Sequence, residues 1–450
     1  MAKKKYKDKY DKLENAPVKG LISSLAVPTI FTMLVTAVYN MADSYFVGRI
    51  DTASVASIGI VFSVMTLLQA VGFFLGNGSG INISTCLGKK DRKTACIFAN
   101  VALITGIGVG IILALIGLFF SVPMAKMLGA TETTLQNAAD YLEIILLGSP
   151  FILGSFILNN HLRYQGSAVY SMFGIVSGSL LNIILDPLFI FRLNMGVKGA
   201  AAATVISQIV GFIILVTGTF QKDNIRISLK SFKPSRKIYA TIFKNGLPSL
   251  ARQGISTVST ISLNFACAPF GDTAVAGMSV FNRVMFLGMA VVIGYGQGYQ
   301  PMCSFNNGAG KHKRVYDGYK FTAVVTTLII TVLSVLGFIF APELIALFRD
   351  DKEVIEIGAR ALRFQCIIMP ATGFCTASNM LMQSLKISGK ATVLALARQG
   401  IFYLPLIFTL PRIFGVFGLC YVQPAADILS TILTAILVKG ELKRLKNSKE

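Results

Sequence analysis

The sequence predicts an all-α membrane protein of twelve transmembrane helices, arranged as two six-helix lobes related by a pseudo-two-fold axis along the membrane normal. Composition, span spacing and an internal repeat predict it. Hydrophobic residues make up 54% of the 450 residues, charged residues only 14%, and the mean hydropathy is +0.66, far from the balance of a water-soluble domain. Apolar runs long enough to cross a bilayer, which takes about 20 residues, recur along the whole chain. The second half also repeats the first. With a shift of 220 residues, Pro28 falls on Pro248, Val55-Ala56 on Val275-Ala276, Gly76 and Gly78 on Gly296 and Gly298, Gly88 on Gly308, Pro150 on Pro370, and Asn159 on Asn379. A random register would not align so many glycines and prolines, so a six-helix unit has been duplicated. Six is even, so each half starts on the same side of the membrane, as in transporters built from parallel repeats, and the natural cavity lies between the halves.

The spans fall at 20–46, 53–78, 96–120, 136–160, 170–191 and 198–220, then at 241–266, 274–300, 318–340, 355–384, 392–411 and 416–438. This divides the chain into an N-terminal tail (1–19), an N-lobe (20–220), a basic linker (221–240), a C-lobe (241–438) and a C-terminal tail (439–450). The apolar run after the basic N-terminus is too long for a signal-peptide core, so it reads as a retained first helix. The net charge of +21 would suit nucleic acid, but its placement excludes that partner. Most of the 42 Lys and Arg sit in alternate loops: the N-terminal tail, 89–93, 222–237, 311–314, Lys386 and Lys390, and the C-terminal tail. This is the positive-inside pattern, and it puts both termini in the cytoplasm of a multi-pass protein whose main partner is the lipid bilayer. The seven cysteines form no C-x-x-C pair and read as small residues packed between helices.

Polar residues inside spans carry the functional expectation, because they are costly there unless they face a bundle interior or a water-filled cavity. In the first span Thr29, Thr32, Thr36, Asn40 and Asp43 recur every three or four residues, so they share one helix face. Pro28, in the same span, removes a backbone hydrogen bond and predisposes the helix to bend. Asn182 and Asp186 lie four apart in span five, and Thr204 and Gln208 four apart in span six. Asp43, Asn182, Asp186 and Thr204 could together make an oxygen-lined site. Such oxygens suit Na⁺ by the logic that fits hard cations to oxygen, and two neighbouring carboxylates serve a proton as well. Both acids also lie toward the outer ends of their spans, where water or head groups could meet them instead. In the second half the position of Asp43 is taken by Leu263. The acid well inside a span there is Asp427, with Arg252, Arg283 and Arg398 as candidate partners in either a structural ion pair or a second relay. Thr36, Asn40, Asn159, Gln208, Arg252 and Asp427 are the candidates for a substrate cavity or relay.

The glycine-rich runs at 72–80 and 294–298 lack the Lys-Ser/Thr of a phosphate loop and read as close helix packing or a widened inner helix end. The histidines, His161 and His312, read as loop or loop-edge residues. Neither H-E-x-x-H nor G-x-S-x-G occurs, so nothing in the sequence points to an enzyme or to a cofactor.

The ordered set P-x(10)-YNMADSYFVGR, VASIG, GNGSG, LGKKDRKTA, RYQG, NIILDPLFIF, GVKGAAAATVISQ, LPSLARQG, LARQGIFYLPL and GVFGLCYVQPAAD resembles the multidrug and toxic compound extrusion (MATE) family over nearly the whole chain. The flavour is that of its bacterial multidrug-exporter branch. The resemblance implies the MATE fold, with lobes that open alternately inward and outward, in a bacterial cytoplasmic (inner) membrane. It implies export of small cationic amphiphilic drugs in antiport with Na⁺ or H⁺ by a monomer. It also implies that Asp43, Asn182, Asp186 and Thr204 form the cation site, which holds Na⁺ if coupling is to sodium, and that helix one bends at Pro28. Another branch uses carboxylates on helices seven, ten and twelve. Helix seven here has none and Glu356 lies near the outer end of helix ten, so that second site is not carried over. Asp427 stands as a remnant or a substitute. The alternative function is a flippase for lipid-linked saccharides, a relative of the same superfamily, which would need an Arg/Lys-lined cavity for pyrophosphate.

Overall fold

A computed structural model of the chain describes residues 6, 8–50 and 52–448. Among the described residues the secondary structure is helical, without strands. The helices are α1 (Lys9–Asn15), α2 (Val18–Val47), α3 (Thr52–Gly88), α4 (Arg92–Met127), α5 (Leu135–Leu147), α6 (Ser149–Tyr164), α7 (Ala168–Pro187) and α8 (Gly196–Thr219) in the first half. The second half holds α9 (Arg236–Cys267), α10 (Asp272–Gly308), α11 (His312–Ile339), α12 (Ala341–Ala346), α13 (Lys352–Ser384), α14 (Ser388–Leu396), α15 (Tyr403–Phe414) and α16 (Val416–Asn447). Short π-helical turns follow α7 (Leu188–Arg192) and join α14 to α15 (Ala397–Ile401).

Among the described residues nine helices are long and apolar enough to cross a bilayer, and α5 with α6 makes a tenth span, bent by 52°. The two further long helices, α9 and α13, have 32 and 33 residues and correspond to expected spans seven and ten. Both carry charged residues along their length, Arg236, Lys237, Lys244 and Arg252 in α9 and Lys352, Glu353, Glu356, Arg360 and Arg363 in α13. Helix α3 continues well past the expected end at 78, and α10 past 300, so each glycine-rich run lies within a helix. There the glycines permit close crossings. A Cβ on Gly78 would stand 2.3 Å from the carbonyl oxygen of Ile242, and one on Gly298 would stand 2.4 Å from Cα of Ala26.

The chain forms two compact units, Met1–Leu13 with Phe31–Leu250, and Glu14–Ile30 with Ala251–Glu450. Helices α2 and α9 each contribute to both units, and in each the change of unit comes two residues after a proline, Pro28 or Pro248. The first unit has a core built on Val61, Leu68, Tyr141, Leu142, Ile145 and Leu153; the second is built on Met278, Phe281, Val292, Ile330, Leu362 and Ile407. Large apolar side chains such as Phe119, Ile184, Leu328 and Ile436 are exposed on the helix surfaces, as lipid-facing residues should be. The seven cysteines are all free, and Cys267, Cys303, Cys366 and Cys420 are buried.

The duplication extends to hydrogen bonding. Asn159 Nδ2 on α6 donates to the carbonyl oxygen of Ser171 on α7 at 3.1 Å, and Asn379 Nδ2 on α13 donates to that of Ala391 on α14 at 2.9 Å. Each bond spans the same twelve residues and ties together two consecutive helices.

In the expected N-terminal tail, α1 docks within the first unit. Lys9 Nζ donates to Ser167 Oγ at 3.2 Å and also to Asn224, the Tyr10 hydroxyl donates to the Asp223 carbonyl, and Leu13 covers Gly166. Burial of Lys9 outweighs the attraction of Asp223 and lowers its pKa to about 7.

Candidate functional site

Helices α7 and α8 approach closely because Gly178 and Gly211 face the partner backbone. A Cβ on Gly178 would meet the Ser207 carbonyl oxygen at 2.9 Å, and one on Gly211 would meet the Gly174 carbonyl oxygen at 2.9 Å. One helical turn beyond Gly178 stands Asn182. Its Nδ2 donates to Asp186 Oδ1 at 3.2 Å, one further turn along α7, and to Thr204 Oγ1 at 3.3 Å across on α8. Asn182, Asp186 and Thr204 are all at most 1% exposed. Asp186 therefore does not read as a carboxylate simply facing water, and Asp43 is half-buried with its Oδ1 out of contact with solvent. Asp186 feels the charge of Asp43 on α2, and both acids act on the phenols of Tyr39 on α2 and Tyr141 on α5; the Tyr141 hydroxyl donates to Met65 Sδ at 3.6 Å.

Three oxygens in this group, Asp43 Oδ1, Asn182 Oδ1 and Asp186 Oδ2, are buried without a hydrogen-bond partner. The nearby Ser207 Oγ on α8 is also unpartnered. Buried acceptors without donors are costly, and a set of them drawn from two carboxylates and a carboxamide is chemically suited to a hard cation or a proton. Among the described residues no group of three or more His, Cys, Asp or Glu side chains could hold a metal ion.

The other sequence candidates are placed differently. Thr36 Oγ1 donates back to the Thr32 carbonyl at 2.8 Å, and Asn40 is exposed although Thr29 and Thr32 on the same expected face are buried. Asn159 makes the clasp to α7, and its amide also donates to Ser171 Oγ at 2.7 Å. Gln208 is half-buried, and its carbonyl accepts from Ser155 Oγ at 3.3 Å. His161 corrects an expectation: it is an interior helical residue of α6, 3% exposed and 2.7 Å from Ser79 Oγ, because α6 continues to Tyr164. Tyr39 and Tyr141 were not foreseen. Tyr39 precedes Asp43 by four residues, a usable helical signal, whereas Tyr141 lies in a stretch that reads only as a span.

In the second unit the acid is handled differently. Asp427 on α16 is fully buried, and donors meet both of its oxygens. Arg398 Nε and Gln423 Nε2 donate to Oδ1 at 2.7 and 2.9 Å, and Arg398 Nη2 and Gln365 Nε2 donate to Oδ2 at 3.2 and 2.6 Å. Of the three candidate arginines, Arg398 is the partner. Arg283 is exposed, and Arg252 lines the same cavity as Arg398. That cavity has a volume of about 340 Å³ and lies within the second unit, walled by α9, α10, α13, α16 and the π-turn at Arg398.

Long apolar helices in a duplicated set, with a buried carboxylate pair in one unit and a polar cavity in the other, define a polytopic membrane transporter. Residues 28–188 and 248–409 each match the MatE family, so the chain belongs to that family of bacterial multidrug exporters. The two matches begin 220 residues apart, the shift at which the sequence repeats. The chain is 27% identical over 427 residues to the multidrug export protein MepA of Staphylococcus aureus (strain MSSA476), covering 94% of each chain. It superposes on a MATE crystal structure in the straight conformation with a TM-score of 0.92 at 25% identity, covering 99% of this chain and 100% of the other. For a MATE structure in the bent conformation the TM-score is 0.89 at 25% identity, with 98% and 99% covered.

Proposed function

We propose that this exporter moves small cationic amphiphilic compounds out of the cell in antiport with Na⁺ or H⁺, and that Asp43, Asn182, Asp186 and Thr204 take the coupling ion. The observation that carries this is the group of three buried, unpartnered oxygens on Asp43, Asn182 and Asp186. An arriving cation or proton supplies what those oxygens lack and neutralises the carboxylate pair. Antiport then requires only that ion and drug stabilise opposite states of one equilibrium. Tyr39 on α2 and Tyr141 on α5 feel the charge of both carboxylates, so a change in the charge of the site reaches those helices.

Helix α2 is the element proposed to respond. It carries Asp43, and its proline removes a backbone hydrogen bond close to the point where the helix passes from one unit to the other. Relatives solved in straight and bent conformations support a bistable fold, and the S. aureus relative's name supports multidrug export. The protein is read as a monomer of the bacterial cytoplasmic membrane with both termini inside, in keeping with its basic loops. The flippase alternative is weaker: the first unit carries the carboxylates Asp43 and Asp186, which would repel a pyrophosphate.

Inverted membrane vesicles provide the test. Uptake of a cationic dye such as ethidium should follow an imposed Na⁺ or H⁺ gradient, and applying the gradients one at a time identifies the ion. Asp43→Asn and Asp186→Asn should each abolish gradient-driven uptake while leaving the protein folded. Undiminished transport by Asp43→Asn would remove this site from the mechanism.

A further inference from the structure

The cavity of the second unit differs in chemistry from the acidic site of the first. Among the described residues the charged side chains lining it are Arg252 and Arg398, and no carboxylate reaches its surface. Asp427 stands behind Arg398 with four donors on its two oxygens, which leaves it little capacity to accept a cation. Its effect is to hold the guanidinium in a fixed orientation. Only two of the five guanidinium N–H groups are used in that pairing, and the side chain keeps 23% of its surface exposed. The rest of the wall combines Phe281, Met285, Phe286 and Met289 with hydroxyls and amides such as Ser256, Asn282 and Gln399. The volume of about 340 Å³ is at the lower end of small-molecule sites.

We infer that this cavity binds an amphiphile with a single anionic group, the anion on Arg398 and Arg252 and the apolar body against the Phe and Met wall. The charged side chains on the cavity wall decide the sign: among the described residues both are guanidinium groups, which offer an anion charge-assisted hydrogen bonds and a cationic drug none. The pre-oriented fork of Arg398 suits a carboxylate, sulfonate or phosphate, and methionines let the wall adapt to differently shaped bodies. The exporter would then accept anionic or zwitterionic amphiphiles in one unit while its coupling ion occupies the other.

The test uses full-length protein in phosphatidylcholine nanodiscs, titrated by fluorescence with dansylglycine and with its uncharged methyl ester, with empty discs subtracted. The carboxylate should bind at least about tenfold more tightly than the ester, the ratio one charge-assisted hydrogen bond supplies. Arg252→Gln and the charge-neutral pair Arg398→Gln/Asp427→Asn should each remove that preference and leave ester binding in place, which also shows that the variants are folded. Equal affinity of the two probes for the unaltered protein overturns the inference, as does an undiminished preference in both variants. A second set of discs containing phosphatidylglycerol identifies the source of the anion. Loss of dansylglycine binding there names a lipid head group, and retention names a free solute; both place an anion in the cavity.

Discussion

Replacing Arg398 by Gln should damage the second unit more than replacing Asp427 by Asn, although each change breaks the same ion pair. The difference lies in what each leaves behind. Arg398→Gln strands a carboxylate that is 0% exposed and retains only the Gln365 and Gln423 amides as donors. Leaving such a buried charge uncompensated costs about 3–5 kcal/mol. Asp427→Asn instead leaves a guanidinium that is 23% exposed on a cavity water can enter, so the loss approaches that of hydrogen bonds to a charged group, about 1–3 kcal/mol. At roughly 2–4 °C per kcal/mol for a folding unit of this size, Arg398→Gln should melt about 10 °C below the unaltered protein. The double variant, which buries no lone charge, should recover much of the difference. Unfolding of a membrane protein is often irreversible, so the assay is a thermal melt in nanodiscs at one fixed scan rate, read as an order of stabilities. A double variant that melts no higher than Arg398→Gln would refute the account, as would equal effects of the two single changes.

The remaining predictions concern the first unit. Gly178→Ala places a methyl group 2.9 Å from the Ser207 carbonyl oxygen, so α7 and α8 must separate. Overpacking of this kind costs about 1–3 kcal/mol, and both a lower melting temperature and weakened ion-driven uptake should follow; an unchanged melt would mean the crossing is looser than described. Tyr39→Phe removes a polar hydroxyl that feels both Asp43 and Asp186 and should change the coupling-ion concentration for half-maximal transport by about fivefold, the equivalent of about 1 kcal/mol, without abolishing uptake. Lys9 provides a pH signature outside the membrane. Docked, it loses its proton above about 7, whereas a free lysine keeps it to 10.5, so the undocked state binds more protons between those values. Docking of α1 should therefore tighten as pH rises through that window. Protection of the α1 backbone from limited proteolysis should be greater at pH 9 than at pH 7, and Lys9→Met should lose the dependence. Protection that weakens with rising pH would contradict the sign.

The two acidic sites differ in how much of them the sequence reveals. Asn182 and Asp186 are four residues apart on one helix, so their shared face follows from helical geometry alone. Thr204 joins them only because Gly178 and Gly211 let α7 and α8 approach, a fact about two backbones and not about either motif. Periodicity put Asn40 on the polar face of the first helix, yet it is exposed while Thr29 and Thr32 are buried. The stripe is real, but its surroundings change along a helix that contributes to both units. His161 looked like a loop residue because polar RYQG follows it, and α6 simply runs further than its apolar content suggests.

Membrane class, duplication and the positions of the intramembrane acids are determined by the sequence by itself, since hydropathy, repeat register and helical spacing are local properties of the chain. Only the tertiary structure decided which polar groups meet. Three arginines were open to Asp427 on sequence grounds, and the choice of Arg398, with Gln365 and Gln423 completing the carboxylate, depended on the rotation and depth of three separate helices. The same cause makes the two acids unlike: hydrogen-bond donors from neighbouring helices saturate Asp427, and none reaches Asp43 Oδ1 or Asp186 Oδ2.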